Sequence, residues 1–298
     1  MVKHIYFMSD THDDLEAVSR AVDGIMAEGL ERSILIHGGD LSLRPYTKRD
    51  LDELLDSKDK RRFVANKRGN NEGVLDEYAE IFHNSGIPHF VIPGNYDPSL
   101  KGVFGERDLN NKATSFQGIR ITGYGGGGNL DDDWMGPPHI ERLHDMGEIQ
   151  LFNPGELKAL LERERPQVAV VHTPPYGHCD LVGTDKHVGA LTTTSYIQNP
   201  IAKDLKLVLC GHIHTPGISR VQRRDDTKTV VINPGNLGRA DEVDPETLEF
   251  KREFNYGTFV RVDVEDDGTP ISVNFYSVED DGRAIRSVKP IKKFSLAG

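Results

Sequence analysis

Five short segments concentrate the residues that could do chemistry. They are Asp10-Thr11-His12, Gly39-Asp40, Gly94-Asn95-Tyr96-Asp97, His172 and Gly211-His212-Ile213-His214. In an extended segment residues i and i+2 face the same way. Asp10 and His12 are therefore expected to reach one point, as are His212 and His214. Glycines before Asp40, Asn95 and His212 allow sharp turns and close backbone approach. Two carboxylates, one amide and four imidazoles make a mixed oxygen and nitrogen donor set. Such sets hold borderline divalent metals such as Mn, Fe, Co, Ni or Zn, and suit neither Ca nor a thiolate site. Seven donors are too many for one tetrahedral ion and fit two ions that share a carboxylate. Paired ions about 3.5–4 Å apart clamp the attacking and leaving oxygens of an in-line displacement at phosphorus.

The elements that must position these donors are legible around them. Residues 4–9 and 33–37 read as strands flanking a helix over 14–28, where Leu15, Val18, Val22, Ile25 and Met26 have helical spacing. This β-α-β unit leaves polar residues at the carboxyl strand ends, the edge where open α/β sheets bind ligands. Residues 168–171 and 207–210 are continuous apolar runs, expected as strands buried on both faces, and each ends in histidine. Residues 89–93, 113–116 and 119–124 predict further short strands. Helices are expected over 47–64, over 71–85, and from Pro154 to Glu164 behind an Asn153 cap. From residue 217 onward, strands at 218–222, 229–233, 257–264 and 271–277 predict an antiparallel meander. The whole of 1–298 reads as a single two-sheet α/β domain, with 281–298 a peripheral tail or part of an oligomer contact.

Composition narrows the function classes. With 36 Lys+Arg against 47 Asp+Glu, the formal net charge is -11. That balance argues against nucleic acid and acidic membranes as partners, since both demand a positive field. Two divalent ions set against two carboxylates and a hydroxide would still leave the pocket positive by about one charge. Cys179 and Cys210 are too few for a disulfide framework and suit a reducing compartment. No apolar run approaches the ~20 residues that span a bilayer, and the first residues lack a signal-peptide pattern. The expectation is a soluble, cytoplasmic protein.

Five ordered motifs make the sequence similar to the calcineurin-like metallophosphoesterases. The family pattern D-x-H, G-D, G-N-H-[DE], H and G-H-x-H is met at the segments named above, between residues 10 and 214. Asn233-Pro234-Gly235-Asn236 also resembles the N-P-G-S turn of small bacterial and archaeal members. The resemblance implies a four-layer α-β-β-α sandwich with two mixed β-sheets. It implies two divalent transition-metal ions, Mn foremost, with Fe, Ni, Co and Zn as alternatives. Asp10, His12 and His214 would hold one ion and Asn95, His172 and His212 the other, with Asp40 bridging. A water between the ions would be the nucleophile and a small phosphate ester the substrate. One position departs: Tyr96 stands where the family has histidine, a residue thought to protonate the leaving group or stabilise charge, with Asp97 orienting it. A tyrosine with an ordinary pKa of ~10 matches that task poorly near neutrality. The expected consequence is a preference for phosphodiesters, or for esters with good leaving groups.

Other residues carry weaker signals. His37 reads as a core residue or a support behind the ligands. His178 and His187, in the loop after His172, are the candidates to replace the missing acid. Gly125 to Gly128 could cradle a phosphate or form a flexible turn, and Asp131 to Asp133 read as solvated acids. Arg44 and Lys67 are charged groups with nothing to select either. Two other classes stay open. One is a nuclease, which steep salt dependence on oligonucleotides would reveal. The other is a non-catalytic binding scaffold, which would hold no metal. The acidic C-terminal strands offer a surface for a homo-oligomer.

Overall fold

The apolar runs that end in candidate ligands form strands, because both faces of each run are covered. The computed structural model describes residues 2–42, 48–68, 73–127, 141, 143–182, 186–239, 256–280 and 286–296. Arg44, Gly128, Asp131, Asp132 and Asp133 lie outside these residues, as does the side chain of Lys67. The first sheet is built from β1 (Lys3–Met8), β2 (Ser33–His37), β3 (His89–Val91), β12 (Tyr256–Val264), β13 (Pro270–Asp280) and β14 (Arg286–Ser295), in the order β14-β13-β12-β1-β2-β3. The second contains β4 (Lys112–Phe116), β5 (Ile119–Tyr124), β6 (Val168–Val171), β9 (Leu207–Cys210), β10 (Gly217–Gln222) and β11 (Lys228–Asn233), in the order β10-β11-β9-β6-β5-β4. A small hairpin joins β7 (Leu181–Val182) to β8 (Lys186–His187). Both large sheets are mixed, with parallel pairs β1–β2, β2–β3, β5–β6, β6–β9 and β9–β11 and antiparallel pairs toward the edges.

Side chains on a strand alternate between faces, so a strand covered on both sides is apolar throughout. Ile5, Phe7, Ile34 and Ile36 of the first sheet share one buried cluster with Val168, Val170, Leu207 and Leu209 of the second. The alternate residues Tyr6, Met8 and Leu35 pack instead with helix residues Val18, Val22, Ile25, Tyr78 and Phe82. On the second sheet, Ala169, Val171, Val208 and Cys210 pack against Leu157, Leu160 and Leu161 of helix Pro154–Glu164. Each large sheet thus carries helices on one face and meets the other sheet on its opposite face.

The expected helices over 14–28, 71–85 and 154–164 are found as Leu15–Glu28, Val74–Asn84 and Pro154–Glu164. Asn153 accepts from the backbone N–H groups of Gly155 and Glu156, as a cap should. The single helix expected over 47–64 is two, Lys48–Asp56 and Lys60–Arg68. Asp59 causes the break, because its carboxylate accepts from Arg62 N–H and starts the second helix.

The C-terminal third corrects the meander. The hairpin β10–β11 joins the second sheet, where β11 runs parallel to β9. The strands β12–β14 join the first sheet, where β12 pairs antiparallel with β1. Val230 and Ile232 face one cluster and Val231 another, so β11 is buried on both sides and is an inner strand. Residues 286–295, expected in a peripheral tail, form the edge strand β14 along β13. Val288 packs on the helix-side cluster and Leu296 lies in the cluster between the sheets. The run Lys289-Pro290-Ile291-Lys292-Lys293 hid this strand, since proline and lysine belong on sheet edges and give no apolar alternation.

Candidate metal centre

The five candidate segments leave the carboxyl ends of β1, β2, β3, β6 and β9 and meet in one place. Parallel neighbours within each sheet make this possible, because their ends point the same way. The first two loops are zipped together by backbone hydrogen bonds, from Asp10 N–H to Gly39 O and from Thr11 and His12 N–H to Asp40 O. Asp10, His12 and His214 bring one donor atom each within 4.8 Å of one another, as do Asp10, Asp40 and His172. Asp40 Oδ2 lies 4.0 Å from His12 Nε2 and 3.5 Å from His172 Nε2, and so faces both groups. Asn95 Oδ1 lies 3.0 Å from His172 Nε2 and 3.0 Å from His212 Nδ1. All seven expected donors therefore gather in one site.

The geometry that brings them together is not the extended one expected. Asp10, His12, Asp40 and His212 all have positive φ, at 55°, 47°, 52° and 68°. Each such non-glycine residue costs on the order of 1 kcal/mol and persists only where its surroundings hold it. Here the clamps are visible. Leu237 and Gly238 donate their N–H groups to Ser9 O and Asp10 O. Asn233 donates from its amide to Gly211 O at 3.1 Å and to Ile213 O at 2.9 Å, while its Oδ1 accepts from Gly235 N–H. The Asn233-Pro234-Gly235-Asn236 turn thus ties down the loops of Asp10 and of His212. The motif marks this turn without giving Asn233 a task; its position at the end of an apolar strand is the one signal the sequence offers. Replacing Asn233 with alanine leaves two buried carbonyls without this donor. The expected cost is about 1–3 kcal/mol, read as a lowered Tm in the metal-free protein and weaker metal retention. An unchanged Tm would contradict the clamp.

Asp97 is fully buried, and its carboxylate is held by backbone. Its oxygens accept from the N–H groups of Gly94, Leu41 and Ser42, at 2.7, 3.2 and 2.8 Å. It therefore pins the Asp40 loop to the Asn95 loop. Burial and the neighbouring Asp40 charge push its carboxyl above the usual range, against those three donors. Tyr96 donates its backbone N–H to Asp40 Oδ1 at 3.0 Å, and its side chain packs with Leu54, Leu143 and Ile149. His37 is the support expected. It accepts from Gly39 N–H at Nδ1, and so directs its other ring nitrogen as a donor to Thr11 Oγ1. Burial pushes its pKa down to about 3, which keeps it neutral.

Gly125, Gly126 and Gly127 lie packed against neighbouring backbone and side chains. A Cβ on Gly125 would fall 2.2 Å from Pro93 O, and one on Gly127 would fall 2.4 Å from Asn95 Cβ. They are packed supports that let the Asn95 loop lie close.

The donor set fits divalent metal. His12 Nε2 is buried and has no hydrogen-bond partner among the described residues, though it faces the carboxylates. His172 donates Nδ1–H to Gly38 O at 2.8 Å, which aims Nε2 at Asp40 and Asn95. An imidazole fixed through its second nitrogen is the usual arrangement of a metal ligand. Burial alone would raise Asp10 and Asp40. The surrounding imidazoles outweigh it and hold both carboxyls low. Burial pushes His12 down, and it takes His212 down to about 4, aided there by His172. Against burial, the Asp40 and Asp10 charges raise His172. A neutral His12 and His212 beside ionised carboxylates is the protonation state that ligation requires.

Above the donors opens a cleft of about 650 Å³, with His12, Asp40, Asn95, Tyr96, His212 and His214 at its base. Its far wall comes from the segment after His172, including Tyr176, Lys186 and His187.

Comparison with known proteins follows the same lines. The family model described as calcineurin-like phosphoesterase matches residues 3–216. One solved crystal structure aligns with 88% of this chain and 95% of its own, at 18% identity and a TM-score of 0.62. TT1561 of Thermus thermophilus aligns with 84% of this chain and 98% of its own, at 18% identity and a TM-score of 0.50. A metallophosphoesterase from Sphaerobacter thermophilus aligns with 94% of this chain and 90% of its own, at 14% identity and a TM-score of 0.36. At 18% identity the likeness to the first two is one of fold. The chain matches no curated protein.

Proposed function

The chain belongs to the calcineurin-like phosphoesterase family, and from that premise we propose that it hydrolyses small phosphate esters, diesters above all, at a two-metal centre. The observation that carries the reading is Asp40, whose carboxylate faces both donor groups at 4.0 and 3.5 Å. We assign Asp10, His12 and His214 to one ion, Asn95, His172 and His212 to the other, and Asp40 to both. When bound, a divalent pair supplies a water acidified toward a pKa of ~7 and neutralises charge on the phosphoryl oxygens. The chain's own residues do the rest. Asn95 and His212 border the cleft and would orient the phosphoryl group. Asp97 and Asn233 keep the loops from shifting as charge develops. Tyr96 removes the cationic side chain expected of the family at this position. A phosphomonoester dianion carries one more negative charge than a diester, and so suffers more from that loss. The protein is read as one catalytic unit over 1–298, because β1, which leads to Asp10, is paired with β12 from the C-terminal third. No helix among the described residues is long and apolar enough to cross a membrane.

The test is turnover of an aryl phosphodiester and of the matching monoester, after chelation and re-addition of Mn, Ni, Co, Zn or Mg. Hydrolysis is expected only with metal and faster on the diester, and Tyr96→His should raise the monoester rate. A strong monoester preference in the native protein would sink the diester reading.

A further inference from the structure

With tyrosine at position 96, the departing ester oxygen still needs a proton, and the cleft offers another source. We propose that His187, oriented by Asp180, delivers that proton; the proposal rests on the phosphoesterase reading above. His187 lies on β8 in the wall of the cleft that also exposes His12, Asp40, Asn95 and His214. Its ring is not a loose surface group. Nδ1–H donates to Asp180 Oδ1 at 2.7 Å, and the ring leans on Tyr176 with centroids 5.2 Å apart. Asp180 is itself 1% exposed. Its second oxygen accepts from Gly177 and Gly189 N–H, both at 3.0 Å. A buried carboxylate fixed by two backbone donors can serve only the remaining direction, which is the imidazole. With Nδ1 committed, Nε2 is the nitrogen left to exchange a proton. The packing at this corner is tight: a Cβ on Gly189 would fall 2.7 Å from Tyr176 N and 2.8 Å from Asp180 Oδ2. His178, the other candidate in this loop, lies 2.7 Å from Ser219 Oγ through Nδ1 and is absent from the cleft wall.

The step balances without an added reagent. The attacking water gives one proton to solvent and its oxygen forms the new bond to phosphorus. The bond from phosphorus to the ester oxygen breaks and its electron pair stays on that oxygen. The Nε2 proton of the imidazolium passes to the same oxygen, and the alcohol leaves. His187 is left neutral, still bonded to Asp180, and regains a proton from solvent water.

The experiment uses the metal-loaded protein and two phosphodiesters that differ only in the leaving group, one aryl and one alkyl. His187→Gln should lower kcat for the alkyl ester by about 10²-fold, the scale of general acid catalysis, and lower the aryl rate far less. Added imidazole should restore part of the alkyl rate to His187→Ala. A second readout needs no metal. Ring-nitrogen NMR of the metal-free protein should show a hydrogen-bonded Nδ1–H that disappears in His187→Gln. Equal losses on both esters, no loss on either, or an unprotonated Nδ1 would overturn the role of His187 and leave the phosphoesterase reading standing. Failure of the native protein to hydrolyse either ester with any metal would overturn both.

Discussion

Replacing Asp40 with asparagine is expected to lower metal-dependent phosphodiester hydrolysis by at least about 10²–10³-fold, the loss seen when one preorganised electrostatic group is removed from an active site. The argument is local. Asparagine keeps the size of the side chain and an oxygen able to accept Tyr96 N–H, which Asp40 Oδ1 receives at 3.0 Å. What it loses is the charge that faces His12 and His172. The metal-free fold should therefore survive, with a Tm within a few degrees of the native value. Metal should no longer stabilise it as strongly. A ligand present at a hundred times its Kd adds about 2.7 kcal/mol, and this rise should shrink in the variant. Elemental analysis should show fewer ions per chain. A variant with native metal content and native kcat would remove Asp40 from the centre.

The second large effect is expected at a residue with no chemistry of its own. A methyl group on Gly94 would fall 2.0 Å from Asp40 Oδ1 and 2.2 Å from Asp40 N. The second contact is with backbone, so no side-chain rotation relieves it. Gly94→Ala must push the Asn95 loop away from the Asp40 loop, against the bonds that Asp97 makes to both. Overpacking of this kind costs about 1–3 kcal/mol. A displacement near 1 Å at a reacting centre costs on the order of 10²-fold in rate. Both losses should appear together, as a lower Tm in the metal-free protein and a lower kcat with saturating metal. A soluble variant with unchanged Tm and rate would show that the loops do not interlock as described. Asp40→Asn and Gly94→Ala thus separate two demands on the site, since the first removes charge from an intact cage and the second deforms the cage.

The seven donors are legible in the sequence because ligand chemistry is restricted to few residue types, and because each follows an apolar run that can only be a buried strand. His214 joins Asp10 and His12, whereas His212 faces Asn95 and His172. Asp10 and His12 do converge, although by left-handed turns instead of an extended pleat. That difference is invisible in sequence, since the sign of φ at a non-glycine residue depends on what holds the loop. Here the hold comes from Asn233, Leu237 and Gly238, more than 220 residues along the chain from Asp10. The glycines at 125–127 stand out in the sequence but their task does not, because crowding by Pro93 and Asn95 leaves the same mark there as flexibility.

The sequence alone determined the order and chemical character of the seven candidate donors and the strands that precede them. Residue type and short-range periodicity are local properties and need no partner to be recognised. The tertiary structure alone decided which sheet each C-terminal strand enters, that residues 286–295 close an edge, and that Asp97 clamps loops. It also decided that Asp180 stands behind His187 at the mouth of the cleft. These depend on which distant backbone or side chain satisfies a buried polar group, and many pairings are compatible with one local pattern. Only packing selects among them.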